Sequence, residues 1–209
     1  MAQTFDRDFW ERRWDQVVRE HPGVVAARPP NGHLTAEAAG LAPGRALDAG
    51  CGHGGEALWL ATAGWRVDAV DFSPTALQAG RSAAEELGTD ISGRIEWVEG
   101  DLGVWTPAPR RYDLVVCLYV HIAGPVDEFV TRLAGGVAPG GTLLLVGHRP
   151  VDPETGADTP AAGQTQVSVE EATTALTALG GWRIEVAEER TREAAGTGVD
   201  AVVRATKPD

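Results

Sequence analysis

Short apolar segments alternate with longer amphipathic segments from Arg45 onwards, and this alternation restricts the fold more than any other feature of the chain. It predicts an α/β protein with a mainly parallel, doubly wound sheet and helices on both faces. Two segments, Leu114–Val120 and Thr142–Val146, are apolar throughout, as central parallel strands should be. The predicted strands are Arg45–Ala49, Arg66–Asp71, Arg94–Glu99, Tyr112–Leu118, Thr142–Val146, Trp182–Ala187 and Val199–Ala205.

Helices are predicted where apolar residues recur at three- and four-residue steps. Ser73 and Pro74 suit the N-cap and the first position of one of these helices. The segment Pro139–Gly141 is predicted to be a tight turn. The last two strands have no helix between them and can form an antiparallel pair at the sheet edge. The predicted helices are Phe5–Val18, Thr35–Leu41, Glu56–Ala63, Ser73–Leu87, Val126–Leu133 and Val169–Leu179.

Length and charge restrict the organisation and the partners. The 209 residues correspond to about one domain, interpreted as a helical cap over 1–44 and a core over 45–209. The net charge is −12, whereas nucleic acids and anionic membranes require rows of basic side chains. We therefore expect a small-molecule substrate, no nucleic-acid partner and no membrane association. The sequence does not indicate an oligomeric state.

Lysine and cysteine usage excludes further classes. Lys207 is the only lysine, so a P-loop is absent. Cys51 and Cys117 are too few for a disulfide framework and lack the spacing of zinc ligands, so no metal site is predicted. Two unpaired thiols and a polar N-terminal segment favour a cytoplasmic location.

A glycine-rich turn after the first strand is the clearest ligand signal. Gly50, Gly52 and Gly55 satisfy the pattern G-x-G-x-x-G, and Asp71 ends the next strand 21 positions after Gly50. A nicotinamide dinucleotide enzyme keeps its ribose-binding acid at this spacing. An NAD(P)-dependent oxidoreductase is therefore one candidate.

Two acidic residues favour a different ligand. Asp48 lies two residues before Gly50, where a pyrophosphate gains nothing from a carboxylate but the cationic, zwitterionic S-adenosylmethionine does. Asp101 follows the third strand, in a suitable place to accept a hydrogen bond from an adenine amino group. In addition, the chain ends in a predicted strand pair rather than in a second domain for a hydride acceptor.

The motifs together resemble the class I S-adenosylmethionine-dependent methyltransferases. They are Asp48-x-Gly50-x-Gly52-x-Gly54, Val70-Asp71-Phe72-Ser73, Gly100-Asp101-Leu102, Tyr112-Asp113-Leu114-Val115 and Pro139-Gly140-Gly141, in this order over residues 45–147. The resemblance implies a seven-stranded sheet of order 3-2-1-4-5-7-6 with the last strand antiparallel.

The same resemblance implies cofactor contacts. The Gly50–Gly54 backbone would face the methionine part, Asp71 the ribose hydroxyls, and Asp101 with Leu102 the adenine. Cys117 would lie under the cofactor. The predicted cofactor-binding residues are Trp14, Asp48, Gly50, Cys51, Gly52, Gly54, Asp71, Phe72, Asp101, Leu102 and Cys117.

The N-terminal segment narrows the resemblance to one group of these enzymes. Phe9–Trp14 followed by Pro30-Asn31 is similar to small bacterial methyltransferases of the thiopurine, tellurite-resistance and dithiol S-methyltransferase type. In those enzymes a helix before the core closes over the cofactor. Trp10 and Trp14 would then form a lid or pack onto the core, and the sequence favours neither.

Two histidines are candidate catalytic residues. His121 and His148 each follow a central strand, at the rim where an acceptor would meet the methyl group. A neutral imidazole there can accept a proton from a thiol or hydroxyl, or orient the acceptor. Otherwise, each is a loop histidine held by backbone groups.

The predicted reaction is direct methyl transfer that leaves S-adenosylhomocysteine. Because a thiol ionises at a pKa of about 8.5, it needs little help from a base, so a thiol or other soft nucleophile is preferred. The alternatives are O- or N-methylation of a small metabolite and a non-catalytic module that binds S-adenosylmethionine.

Overall fold

The computed structural model describes residues 7–20, 29–122, 124–151, 156–157, 159, 163–191 and 198–209. Strands and helices alternate along these residues as predicted. The helices are α1 Arg7–Glu20, α2 Gly32–Ala38, α3 Gly55–Thr62, α4 Pro74–Glu86, α5 Thr89–Ser92, α6 Val126–Gly136 and α7 Val169–Leu179. The strands are β1 Arg45–Ala49, β2 Arg66–Asp71, β3 Ile95–Glu99, β4 Tyr112–Leu118, β5 Val137–His148, β6 Arg183–Thr191 and β7 Val199–Thr206.

All seven described strands form one sheet. Its order is β3-β2-β1-β4-β5-β7-β6. Strands β1 to β5 are parallel, whereas β7 runs antiparallel to both β5 and β6. The predicted strand order and antiparallel last strand are confirmed. The order reverses between β1 and β4, and such a switch point is where open α/β sheets bind ligands.

Two apolar layers cover the sheet, one on each face. Alternation along β4 sends Val115 and Cys117 into one layer and Leu114 and Val116 into the other. Helices α6 and α7 contribute to the first layer, and α3 and α4 to the second. Each fully buried aliphatic side chain stabilises this arrangement by about 1.5–3 kcal/mol. The central strands are apolar throughout because both of their faces are covered.

Capping residues in the sequence determine where several helices begin. Ser73 caps α4 by accepting a hydrogen bond from the Ala76 amide, with Pro74 in the first turn, as predicted. Helix α2 begins at Gly32, earlier than the predicted Thr35, because the Asn31 side chain accepts hydrogen bonds from the amides of His33 and Leu34. The predicted start of α1 at Phe5 lies outside the described residues.

The prediction of a tight turn at Pro139–Gly141 was wrong. These residues lie inside β5, whose register with β4 shifts between Tyr112 and Leu114. Gly140 has a φ of +70° there, so the glycine allows an irregularity within the strand rather than ending it. None of the described helices combines the length and the apolar character needed to cross a membrane.

Candidate active site

A cavity of about 320 Å³ lies at the carboxyl ends of β1, β2 and β4, beside the switch point. Its size is typical of small-molecule sites. The structure brings together eight predicted site residues in its lining, and seven lining residues were not predicted to be site residues. The lining comprises Arg7, Trp10, Trp14, Gly50, Gly52, Asp71, Phe72, Asp101, Leu102, Gly103, Tyr119, Val120, His121, Ile122 and Phe129.

The floor of the cavity is the turn after β1. Gly50 has a φ of +84°, and a Cβ atom at this position would lie 2.2 Å from Cγ2 of Val120. Gly52 has a φ of +52°, and its Cβ would lie 2.8 Å from the Trp14 ring. Side chains at either position would therefore strain the backbone and occupy space beside the cavity. These two glycines allow a ligand to approach the main chain.

Glycine is needed at position 54 for a different structural reason. Its φ is +82°, and a Cβ would lie 2.3 Å from the ring of Trp97. It precedes α3 as the N-cap and does not line the cavity. The glycine therefore makes room for Trp97, and its predicted cofactor contact stays a prediction.

Asp71 holds the turn and also faces the cavity. Its Oδ2 accepts a hydrogen bond of 2.9 Å from the Gly52 amide, and its Oδ1 accepts one of 2.9 Å from the Ser73 amide. Burial raises the pKa of Asp71, although these amide hydrogen bonds act in the opposite direction. Each carboxylate oxygen has a second lone pair. Asp71 can therefore accept from neighbouring hydroxyls of a ligand.

Asp48 lies behind the turn rather than in the cavity lining. Burial, together with the carboxylates of Glu56 and Asp71, raises the pKa of Asp48 well above its usual range. Its Oδ2 is buried without a hydrogen-bond partner among the described residues. Asp48 is therefore protonated more readily than an exposed aspartate, and a cationic ligand group nearby would favour its ionised form.

Both cysteines are also outside the lining. Burial raises the pKa of the Cys51 and Cys117 thiols, which stay protonated at neutral pH. Cys117 belongs to the apolar cluster that also contains Leu102 and Ile122 of the cavity lining. Neither thiol is therefore a nucleophile, and their cofactor contacts stay predictions.

Asp101 and Leu102 form one wall with Phe72. The Asp101 carboxylate accepts a hydrogen bond of 2.8 Å from the Gly103 amide, which fixes its position after β3. Leu102 is buried. Apolar side chains beside an accessible carboxylate suit a ring that carries an amino group.

Helix α1 forms part of the wall of the cavity. Arg7, Trp10 and Trp14 line it, and none of the described residues of α1 is buried. The two Trp residues therefore belong to the cavity lining rather than to the buried core, and their role as a lid stays a prediction. Polar contacts hold the helix in place: Arg7 pairs with Glu99 at 2.5 Å, and Glu11 accepts hydrogen bonds from the hydroxyls of Ser73 and Thr75.

His121 is the imidazole that lines the cavity. Its ring lies 4.8 Å from that of Trp10, between centroids. Burial and the nearby imidazole of His148 lower the pKa of His121 to about 4. The ring is therefore neutral at pH 7 and can accept a hydrogen bond from an acceptor.

Stability is expected to depend on pH through His121. The pKa is about 4 in the folded chain and about 6.5 when unfolded, so between these values only the unfolded chain binds the proton. The stabilisation is therefore present above pH 6.5 and is lost as the pH falls towards 4. We expect the free energy of unfolding to rise by about 1–2 kcal/mol over this range, after allowance for partial exposure.

Urea unfolding of the wild type and of His121→Gln at several pH values measures this contribution. The other titrating groups are common to both proteins, so the difference between the two curves isolates His121. Parallel curves from pH 4 to 7 would contradict the assigned burial of the neutral ring.

His148 does not line the cavity but lies one layer behind it. Its ring stacks on Tyr119, with centroids 3.9 Å apart, and its Nδ1 lies 3.0 Å from Oδ1 of Asp200. The Tyr119 hydroxyl donates to Oδ2 of Asp200 at 2.8 Å, and Nε2 of His33 lies 3.2 Å from the same oxygen. A buried polar cluster around Asp200 thus adjoins the cavity.

The arrangement fits S-adenosylmethionine. Asp71 offers acceptors for two hydroxyls, the Gly50–Gly52 main chain is open to close approach, and Asp101 adjoins an apolar wall. A seven-stranded sheet of this order with a glycine turn after β1 and an acid after β2 defines the class I S-adenosylmethionine-dependent methyltransferase architecture.

Comparison with known proteins assigns the central part of the chain more closely. Residues 46–141, a little less than half of the chain, match the model of the family described as a methyltransferase domain, so this segment is similar to that family. The predicted resemblance to the class I enzymes is confirmed, and with it S-adenosylmethionine as the cofactor of the domain.

Individual relatives act on different kinds of acceptor. A mitochondrial ubiquinone biosynthesis O-methyltransferase of Schizosaccharomyces pombe is 36% identical over 101 residues, which cover 47% of this chain and 36% of that protein. A ribosomal RNA small subunit methyltransferase C of Alcanivorax borkumensis is 40% identical over 113 residues, 51% of this chain and 33% of that protein. The chain thus spans about a third of the length of these relatives.

A solved structure extends the likeness beyond the matched domain. TehB from Haemophilus influenzae has a TM-score of 0.69 at 16% identity, covering 93% of this chain and 67% of that chain. At this identity the likeness concerns the fold. The similarity to tellurite-resistance methyltransferases stays a prediction.

Proposed function

We propose that this chain transfers a methyl group from S-adenosylmethionine to a small-molecule acceptor, preferably a thiol, in the cytoplasm. The observation that carries the proposal is the position of neutral His121 in the same cavity as Gly50 and Asp71. The cavity is about 320 Å³ and α1 forms part of its wall, which suits a small acceptor better than a macromolecule. The net charge of −12 also disfavours RNA.

The residues of the chain bind the cofactor, orient the acceptor and exclude water. When bound, S-adenosylmethionine supplies a methyl group already activated by a positively charged sulfur. Asp71 accepts from ribose hydroxyls, and the positive charge of the cofactor would favour the ionised form of the nearby Asp48. Trp10 and Trp14 keep water from the reacting atoms. His121 accepts a hydrogen bond from the acceptor and fixes its approach.

The basicity of His121 favours sulfur over oxygen. An imidazole whose pKa is about 4 takes up a proton reluctantly. A thiol has a pKa of about 8.5 and a phenol of about 10, so the thiol needs less assistance to ionise. O- and N-methylation of small metabolites are the alternatives, and the ubiquinone O-methyltransferase relatives support the first of them.

Turnover is expected to be at least about tenfold faster on thiols than on phenols of equal size, the factor that corresponds to about one pKa unit. The measurement is S-adenosylhomocysteine formation with thiophenol and phenol as the matched pair. Reaction of phenol alone would contradict the preference for sulfur.

A titration without acceptor separates the remaining alternatives. Calorimetry with S-adenosylhomocysteine and, in parallel, with NADH measures which cofactor is bound. Micromolar binding of NADH alone would indicate an oxidoreductase. Binding of S-adenosylhomocysteine with no product from any acceptor class would indicate a non-catalytic module.

A further inference from the structure

Tyr119 has a backbone conformation that its residue type disfavours. Its φ is +58°, in the left-handed region, where a Cβ atom crowds the backbone. Among the described residues, Arg110 at +53° is the only other non-glycine residue with a positive φ, and it lies in an exposed turn before β4. Glycine or asparagine adopts this conformation more easily. Retained strain is frequent at functional sites, so the side chain of Tyr119 is a candidate for a functional role.

Both ends of Tyr119 are held in place. Its amide donates a hydrogen bond of 2.8 Å to the carbonyl of Val146 in β5. At the far end, its hydroxyl accepts from the Asn31 side chain at 2.9 Å and donates to Oδ2 of Asp200 at 2.8 Å. The ring between these ends stacks on His148, with centroids 3.9 Å apart. Contacts from three other parts of the chain therefore fix the position of the ring.

The hydroxyl of Tyr119 is already engaged, so a ligand in the cavity meets this side chain mainly as a ring. A phenol has one proton to donate, and this one goes to Asp200. Tyr119 nevertheless lines the cavity, whereas Asn31, His148 and Asp200 do not. The residue is therefore suited to limit the space in the cavity by its shape rather than to exchange protons.

The strand order indicates which part of a ligand Tyr119 faces. Strands β3, β2, β1 and β4 are parallel neighbours, and Asp101, Asp71 and Gly50 lie at or after the ends of the first three. A cofactor with its adenine, ribose and methionine at these residues, in this order, brings its sulfur towards the end of β4. Val120 adjoins the Gly50 turn, because its Cγ2 would lie 2.2 Å from a Cβ at Gly50. The lining residues after β4, including Tyr119, are therefore placed to meet the acceptor.

We propose that Tyr119 is a specificity-determining residue, whose fixed ring limits the size of the acceptor that reaches the methyl group. This inference rests on the proposed function and adds to it a class of acceptor, namely compounds with a single ring or a short chain beside the reacting atom, rather than fused ring systems. A wall that is held at both ends excludes a larger ligand, whereas a mobile side chain would rearrange to admit it. The contacts that maintain the left-handed backbone are then the same contacts that maintain the wall.

Tyr119→Gly tests the wall directly. The variant removes the ring, and glycine suits a φ of +58°, so the backbone can keep its conformation. The acceptors are thiophenol and 2-naphthalenethiol, with phenol and 2-naphthol in parallel. Each pair carries the same nucleophile on one ring or on two, so its members differ mainly in size. The ratio of kcat/KM for the larger compound to that for the smaller one should rise at least about tenfold, the lower end of the discrimination that a hydrophobic pocket achieves.

Tyr119→Phe separates the anchoring of the ring from the ring itself. It keeps a ring of the same size but loses the hydrogen bonds of the hydroxyl with Asn31 and Asp200. A ring that is no longer anchored should admit the larger compounds more readily. We expect the same ratio to rise about 2- to 10-fold, which corresponds to the usual contribution of a hydrogen bond. Because this variant keeps the packing of the ring, it also serves as the test if Tyr119→Gly does not fold.

The chain offers a matched control for each variant. Tyr112, the other tyrosine, begins β4 and donates to the buried carboxylate of Asp68 at 2.9 Å, outside the cavity lining. Tyr112→Phe therefore removes an equivalent hydroxyl away from the site. Arg110→Gly likewise replaces a side chain at a positive φ outside the lining. Both controls should leave the kcat/KM ratio within about twofold of wild type.

Calorimetry extends the test to binding. Titration of the S-adenosylhomocysteine complex with phenol and with 2-naphthol should show the same change in the ratio of affinities, so the inference does not depend on turnover of these compounds. Ratios that stay at the control values in both Tyr119 variants would overturn the role of Tyr119. A wild type that does not bind S-adenosylhomocysteine would instead overturn the proposed function.

Discussion

Replacing Asp71 with alanine is expected to weaken the binding of S-adenosylhomocysteine about 10- to 100-fold. The substitution removes the acceptor for the ribose hydroxyls, and leaving buried polar groups unpaired costs about 1–3 kcal/mol. It also releases the amides of Gly52 and Ser73, so the turn loses the contacts that keep it open for the ligand. Isothermal titration calorimetry measures the change.

Asp68→Ala is the matched control. Asp68 is also a buried carboxylate of β2, but it pairs with Arg45 and Tyr112 away from the cavity. Both variants should lose stability, and only Asp71→Ala should lose affinity. An affinity within twofold of wild type in Asp71→Ala would refute the ribose contact.

Gly50→Ala is expected to lower the free energy of unfolding by about 2–5 kcal/mol. The φ of +84° costs an alanine about 1–2 kcal/mol, and its Cβ would lie 2.2 Å from Cγ2 of Val120. Overpacking of this kind adds about 1–3 kcal/mol. Binding should also fall, because the methyl group displaces the wall of the cavity. Urea unfolding and calorimetry measure the two effects.

Two further variants separate strain from crowding. Val120→Ala, added to Gly50→Ala, removes the crowded methyl group and should recover part of the stability while the backbone strain remains. Gly135→Ala, at an exposed helical position with no atom within 4 Å of a Cβ, should stabilise the chain by about 0.5–1 kcal/mol. A Gly50→Ala variant as stable as wild type would show that the turn can adopt another conformation.

The sheet could be predicted from the sequence because local patterns determine it. The apolar segments of β4 and β5 and the Ser73-Pro74 start of α4 carry their own signals. The Pro139–Gly141 segment was predicted wrongly because proline and glycine mark irregular backbone without showing whether a strand ends or continues. The pairing of β5 with β4 decides whether the strand continues, and the paired residues are distant from each other in the chain.

Some residues of the candidate site could be predicted from the sequence, and others could not. Gly50, Gly52, Asp71 and His121 lie beside strand ends, so their meeting follows from the sheet topology. Asp200 and His33 are separated by 167 residues, and only the placement of β7 between β5 and β6 brings them together. Tyr119 follows a buried strand and could have been considered, but nothing local indicates its left-handed conformation. The buried cluster therefore depends on the tertiary structure and has no local signal in the sequence.

Helix α1 is held by few contacts, and this links its docking to the binding of a ligand. The helix buries none of its described side chains, so its docking depends on a few polar contacts and on the Trp rings that line the cavity. Anything bound in the cavity adds contacts to these rings, and the docking of the helix and the retention of the ligand become thermodynamically linked. Such linkage is reciprocal. If the ligand increases the docking equilibrium constant of the helix by some factor, docking of the helix increases the affinity for the ligand by the same factor. We therefore expect a ligand to leave the cavity through local opening of this helix, while the sheet beneath keeps its structure.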